Sequence, residues 1–528
     1  MPSVPTINSE SESSRIPYCA RWILGVVFGI SLLIRLVYIA PHELILGYHA
    51  SEDALSHTLV TSNLIAAGNA QMLLPVFTYP GEHNLSIDNL RTAGRFAKDG
   101  RYYYTSFPPG AFIIVAGIAR IFGIEWTPFS LRTFAIFLHL TVALTTAGIV
   151  REIGKKTSIG DCLSRDYAIL AFMLSFTTFE LARSYSFSIW GQHLIQLPLL
   201  ILPWLVLRKS TGLSLYALVL VIPLIEWTGY IANVSLALVL FWNYWHQRGK
   251  KQRNGQLITV PWNAFAVLAL TAVVGIIQIS WFSSLLGFHE YISALAYRGE
   301  VRGTAFASLV KMPFAYIISI GATLILPVWC VYQTRHSLQS LIKPPLQIVA
   351  QYPLVVCAIA LLLLPCAENL LLSNHVIQYP FDRIKGCAFF IVFIFTVLML
   401  LNNQKIKVER LAYVTAWACA INLVIFCVYS TSVYYQYGDQ GGNVLAVGSY
   451  IRKYAAKEDT VIVNDVVRGN YLYHSGRNIL EASGSIPNPC DYIMNSTHGA
   501  QKVHLIFPNA RTVYIRDSGG NDIRTVTF

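Results

Sequence analysis

The chain has 528 residues, of which 54% are hydrophobic and only 12% charged, and its mean hydropathy is +0.50. Soluble domains carry about 25% charged residues, so this composition excludes a soluble protein and defines a polytopic membrane protein. The net charge of +12 then reads as Lys and Arg gathered in cytoplasmic loops, not as a surface for nucleic acid.

The first segment, 1–21, is polar and Ser-rich. No small-residue cleavage site follows the apolar run 22–40, which reads as a retained span and not as a signal peptide. About twenty apolar residues cross the hydrocarbon core, so Gly47-Tyr48-His49-Ala50-Ser51-Glu52-Asp53 is expected just beyond the membrane surface. The outer stretch 41–127 is too long for a plain connector. Within it, 52–68 has an acidic start, helical apolar spacing and a Gly stop, which predict a helix. Residues 108–122 are apolar but short for a span and open on Pro, a good first-turn residue. They are expected to lie along the outer interface.

Ten further apolar runs follow, at 128–150, 167–184, 193–207, 213–226, 231–245, 261–282, 313–332, 348–366, 384–401 and 411–430. Basic connections alternate with non-basic ones: Arg151, Lys155, Lys156 and Arg165; Arg208 and Lys209; Arg248, Lys250, Lys251 and Arg253; Arg335 and Lys343; Lys405, Lys407 and Arg410. Placing all of them inside gives one threading, with about eleven spans, the N-terminus inside and the C-terminus outside. Between 213 and 245, Pro223, Glu226 and Gly229 split one apolar stretch into two short helices. A second outer segment, 283–312, carries Tyr297, Arg298, Arg302 and Lys311. The tail, 431–528, has strand signals at 461–463, 471–473, 503–507 and 512–515 and a helix signal over 444–457. The expected organisation is a cytoplasmic tail (1–21), a transmembrane domain (22–430) and a small extracytoplasmic α/β domain (431–528). Most of the nine cysteines lie in apolar runs, where Cys acts as a small hydrophobe, so no disulfide framework is implied.

Asp53 is the sharpest candidate for chemistry. An acidic pair opening a helix is also an ordinary cap. Two features favour a functional role: the segment lies at the membrane surface, and His49 and His57 flank it. A carboxylate near a lipid phosphate can act as general base toward a hydroxyl acceptor. Glu226 and Glu368 stand near span ends, where acidic groups are functional candidates or simply reach the interface. Asn495-Ser496-Thr497 matches a glycosylation acceptor, a pattern that arises often by chance. Walker, His-Glu-x-x-His, Cys-x-x-Cys and Rossmann patterns are missing from the sequence. An outward-facing site has no easy access to cytosolic nucleotides, so its activated donor would arrive attached to a lipid.

An outward acidic residue, a helix ending in Ala67-Gly68, and a Pro108-Pro109 apolar segment ending in Phe122-Gly123 resemble the GT-C superfamily of membrane glycosyltransferases. The likeness is greatest to protein O-mannosyltransferases and bacterial aminoarabinose transferases. It covers 22–150 in motif and the rest in topology. The tail segments 461–465 and 471–477 look like the small outer domain that many of these enzymes carry. Carried over, the family's catalytic Asp falls on Asp53, with Glu52 beside it, and the second acidic position falls on Ala54. The family's Lys before Pro falls on Phe107, so the donor phosphate needs other cations. Arg95, Lys98 and Arg101 lie just upstream, Arg183 ends the third span, and His375 and Arg383 precede the tenth. Arg suits phosphate because its planar fork binds two oxygens; outer Arg residues also commonly snorkel to headgroups. Trp190-Gly191-Gln192-His193 matches an element that faces the cavity in some relatives, or is an aromatic belt.

The resemblance implies an inverting hexosyl- or pentosyltransferase in the plasma (inner) membrane, active on the extracytoplasmic side. Its donor would be a polyprenyl-phosphate-linked sugar and its acceptor a hydroxyl of a glycan, lipid or protein. Asp53 and Glu52 would be catalytic. Arg101, Arg183, His193, His375, Arg383 and His57 would bind donor phosphate or substrate. The resemblance assigns no certain cofactor, and a divalent cation (Mg or Mn) with unknown ligands is allowed. The chief alternative is a lipid or sugar transporter or flippase, which would place charges deep in the spans and break helices at mid-membrane.

Overall fold

The computed structural model describes residues 16–41, most of 55–66 with Gly68, 94–96, 102–104, 108–334 except 158, 211 and 254–260, 345–401, 407–456, 459–463, 479–481, 502–507, 512–517 and 522–527. A helix covers each of the eleven apolar runs. They are Tyr18–Leu33 with a π-helical continuation Ile34–Ile39, Pro128–Lys156, Asp161–Thr177 with Phe179–Phe187, Gly191–Leu207, Leu213–Ile225, Thr228–Arg253, Trp262–Leu286, Phe306–Ile320 with Ile325–Thr334, Pro353–Cys366, Ile384–Leu401 and Val408–Tyr454. Among the described residues, seven helical stretches are long and apolar enough to cross a membrane: Tyr18–Ile39, Pro128–Lys156, Trp262–Leu286, Phe306–Gln333, Pro353–Leu371, Pro380–Leu400 and Val408–Val433. Many of their large apolar side chains point outward, such as Ile276 at 63% and Phe314 at 65% exposure, as a lipid-facing surface requires.

Three runs differ from the simple reading. The 167–184 run breaks at Thr178, whose hydroxyl donates to the Leu174 carbonyl and pairs with Thr323 Oγ1, so a side chain competes with the backbone ladder. The 313–332 run passes through a 3₁₀ turn at Gly321–Leu324, where Asn422 Oδ1 accepts from the Ala322 N–H. The last run does not stop near 430: one helix runs Val408–Tyr454 and absorbs most of the helix predicted over 444–457. No proline interrupts that stretch, and Gly438, Gly441 and Gly442 each cost a helix only about 1 kcal/mol. The split predicted within 213–245 is present, with Glu226 in extended backbone between two helices.

Of the outer stretch 41–127, the described residues between 55 and 66 are helical, and Gly68 follows at φ +84°. The short apolar segment is the helix Gly110–Phe122, closed by left-handed Gly123 at φ +62°. Gly110 is required for packing: a Cβ there would stand 2.4 Å from the Leu224 carbonyl oxygen, and backbone cannot yield. Gly110→Ala is expected to cost about 1–3 kcal/mol, read as a lowered unfolding midpoint in detergent; an unchanged midpoint would contradict this contact. Strands β1 (Gly94–Phe96) and β2 (Tyr102–Tyr104) form an antiparallel hairpin.

In the tail, β3 (Thr460–Val463), β4 (Ile479–Glu481), β5 (Lys502–Phe507), β6 (Thr512–Asp517) and β7 (Asp522–Thr527) form one sheet in the order β4-β3-β5-β6-β7. Strand β3 pairs parallel with β4 and β5, and β5, β6 and β7 pair antiparallel. Strands β4 and β7 had no sequence signal, and the 471–473 signal lies outside the described residues.

The helix ends sort by chemistry. Two of the basic connections meet at one end, where Glu152 Oε1 holds Lys155 Nζ at 3.1 Å and Arg208 Nη2 at 3.4 Å. Asp161, which opens the next helix, pairs there with Arg151 at 3.3 Å. The buried charges described below lie where Asp161–Thr177 and its continuation Phe179–Phe187 reach the other end.

Candidate functional site

Glu180 is the hub of the first group. Its side chain is 2% exposed. Oε1 accepts from Arg183 Nε at 3.1 Å and Ser184 Oγ at 2.8 Å. Oε2 accepts from Ser319 Oγ at 3.1 Å and faces Arg383 Nη2 at 3.5 Å. Arg183 Nη1 also donates to the Tyr429 hydroxyl at 2.8 Å, and its guanidinium lies over that ring. One carboxylate therefore gathers two guanidinium groups from helices far apart in sequence. Arg383 Nη1 reaches the Ala315 carbonyl at 3.5 Å, while its buried Nε has no hydrogen-bond partner among the described residues.

A second group lies beside it. Lys385 Nζ pairs with Glu368 Oε2 and donates to Thr228 Oγ1 at 3.1 Å. The Thr228 hydroxyl donates to the same Glu368 oxygen, and the Thr228 N–H donates to Glu226 Oε2 at 2.9 Å. On the neighbouring broken segment 367–383, His375 Nδ1 bonds Asp382 Oδ2 and its ring stacks on Tyr379 with centroids 4.2 Å apart. Asn369 Nδ2 donates to the Asp382 carbonyl at 3.1 Å and so ties the segment back on itself.

His193 packs beside the broken segment. It is fully buried, and its ring lies 6.1 Å from that of Phe381. The Trp190 N–H donates to His193 Nδ1 at 3.0 Å. In the neutral imidazole the proton is then on Nε2, which becomes a hydrogen-bond donor. That Nε2 is buried beside the Ser184 backbone carbonyl, without a fully formed hydrogen bond among the described residues.

The helix that follows Asp53 in sequence docks on the same turn. Leu55 and Leu59 are fully buried, and Thr58 Oγ1 donates to the Ile189 carbonyl at 2.8 Å. Asn63 exchanges two hydrogen bonds with the Trp126 backbone, at 2.8 and 2.9 Å. Phe112 of the Gly110–Phe122 helix meets Trp190 edge-on at 5.3 Å.

Of the sequence candidates, Arg183, His193, His375 and Arg383 are thus brought to one end of the bundle, with Glu226 and Glu368. Glu52, Asp53, His57 and Arg101 lie outside the described residues. Arg183 and Arg383 do not snorkel: they are 9% and 8% exposed. Sequence reading missed Glu180, Asp382 and Lys385. The signal for Glu180 and Lys385 was present, because an ionisable residue inside an apolar run is a functional candidate by default. Among the described residues no group of three or more His, Cys, Asp and Glu side chains could hold a metal ion.

No family model and no curated protein matches this chain. Among solved structures, the apo oligosaccharyltransferase of Archaeoglobus fulgidus aligns at TM-score 0.51 and 10% identity, over 92% of this chain and 69% of that one. The same enzyme with Zn and sulfate aligns at TM-score 0.46 and 11% identity, over 92% and 67%. Its complex with an inhibitory peptide and a dolichol-phosphate aligns at 0.45 and 10%, over 92% and 69%. The first of these likenesses shows the fold alone. The chain is therefore a multi-pass membrane protein whose fold is similar to that of the archaeal oligosaccharyltransferase.

Proposed function

We propose that this protein is an inverting membrane glycosyltransferase that uses a polyprenyl-phosphate-linked sugar. The observation that carries the reading is the docking of the helix after Asp53, through Thr58 and Ile189, on the turn that holds His193, beside the buried Arg183–Glu180–Arg383 group. This supports a site in which guanidinium and imidazole donors, suited to a phosphate, act together with the carboxylate of Asp53. The GT-C-like fold supports the same reading.

In the proposed reaction Asp53 takes the proton of an acceptor hydroxyl. The hydroxyl oxygen attacks the anomeric carbon, and the bond from that carbon to the phosphate oxygen breaks. The polyprenyl phosphate leaves with the bonding pair. Arg183, Arg383, His375 and the Nε2–H of His193 hold its charge, and Glu52, His57 and Arg101 complete the substrate contacts. The site opens outside the inner membrane, with about eleven spans, the N-terminus inside and the α/β tail domain outside. The acceptor is a glycan, lipid or protein hydroxyl.

The test is transfer of label from polyprenyl-phosphate mannose, glucose and aminoarabinose in membranes holding wild type or Asp53→Asn. A positioned general base contributes about 10²–10⁴ in rate, so the variant is expected to lose at least about a hundredfold in label transfer and in polyprenyl phosphate release. Equal transfer by the variant would remove Asp53 from the chemistry.

A further inference from the structure

Arg35 is the most anomalous side chain in the bundle. It is fully buried in the first apolar run, at the π-helical turn Ile34–Ile39, and none of its hydrogen-bond partners among the described residues is a carboxylate. Its Nε donates to Ser186 Oγ at 2.8 Å and its Nη1 to His139 Nδ1 at 3.0 Å, with the guanidinium over the Phe176 ring. A buried cation held only by neutral groups is costly, and an aliphatic side chain would fill the space at lower cost. π-helical turns are frequent at functional sites.

The contacts lead in one direction. His139 Nε2 donates to the Ser175 carbonyl at 3.0 Å, which leaves Nδ1 as the acceptor for Arg35. The His139 ring stacks on Tyr185, with centroids 4.7 Å apart and planes 8° from parallel. Tyr185 then meets the His193 ring edge-on at 4.9 Å, and its hydroxyl donates to the His193 carbonyl at 3.1 Å. Ser186, fixed by Arg35, neighbours Tyr185 on the helix that also bears Glu180 and Arg183. Every link is buried.

We propose that Arg35 is a positioning residue: through His139 and Tyr185 it fixes the His193 imidazole so that its Nε2–H donates to a phosphate oxygen of the lipid-linked donor. The assignment rests on the transferase reading for the identity of that phosphate. Arg35 itself touches no substrate. Its fork holds two elements at once, which a lysine cannot reproduce.

A double-mutant cycle tests this, with Arg35→Met and His193→Ala made singly and together in the full chain. The readouts are kcat and KM for label transfer and, independently, the Kd for polyprenyl phosphate in detergent. Arg35→Met alone is expected to lower kcat/KM by roughly tenfold, mainly in kcat, and to weaken polyprenyl phosphate binding. With His193→Ala already present it is expected to change either readout by less than about twofold. Tyr185→Phe, which removes one hydroxyl, keeps the test open if Arg35→Met fails to fold; it should couple to His193→Ala in the same sense. Additive effects in the cycle would overturn the proposal. So would full rescue by Arg35→Lys, which would make charge and not positioning the role. Polyprenyl phosphate binding with intact coupling but no transfer would count against the transferase reading while sustaining the positioning role. A wild type that neither transfers nor binds would overturn both.

Discussion

Lys385→Met is expected to destabilise the protein by about 3–5 kcal/mol, the usual cost of breaking a buried ion pair from one side. Lys385 and Glu368 are 8% and 9% exposed at their side chains, and Lys385 also bonds Thr228. Removing the ammonium leaves the Glu368 carboxylate buried with the Thr228 hydroxyl as its remaining partner among the described residues. Glu226, which accepts the Thr228 N–H, sits on the same turn and adds a second carboxylate. The effect should reach the segment between them, because Glu368 opens the broken stretch 367–383 that carries His375, Asp382 and Arg383. Glu368→Gln in the Lys385→Met background is expected to recover more than half of the loss, since removing both charges is far cheaper than stranding one. Unfolding midpoints of the four proteins in one detergent give the comparison. A single Lys385→Met as stable as wild type would show that the Lys385–Glu368 pair adds nothing to stability.

Helix positions were legible in the sequence because apolar runs and basic loops are strong, redundant signals. The breaks were less so. Pro223, Glu226 and Gly229 announced one of them, and the split is there. The break at Thr178 depends on where one hydroxyl finds its partners, Leu174 and Thr323, and Thr323 is more than a hundred residues away. The same limit governed the site. Arg183, His193, His375 and Arg383 could each be singled out by residue type and place near a span end. That Arg183 and Arg383 share Glu180 is a long-range fact, and Glu180 itself was hidden inside an apolar run. Arg35 was in plain view at 35 in Leu33-Ile34-Arg35-Leu36, yet nothing local in sequence told whether it snorkels or turns inward to His139.

Glu180→Gln is expected to produce two effects of opposite sign. The variant keeps the shape but removes the charge that faces Arg183 at 3.1 Å and Arg383 at 3.5 Å. Two buried guanidinium groups are then left facing one neutral amide, and stability should fall by about 3 kcal/mol or more. The same loss makes the site more positive toward an anion. At an effective dielectric of about 20, a charge a few ångström from the ligand is worth a few kcal/mol, so polyprenyl phosphate should bind roughly tenfold tighter or more. Ligand that binds only the folded state raises the unfolding midpoint in proportion to the logarithm of its concentration over Kd. The variant should therefore start lower than wild type and gain more from the same polyprenyl phosphate. Turnover should fall, because a product held more tightly leaves more slowly. A variant that starts lower and gains less would show that Glu180 matters by aiming the two guanidinium forks and not by neutralising them. A wild type with no response to polyprenyl phosphate at any concentration would remove the phosphate from this end of the bundle altogether.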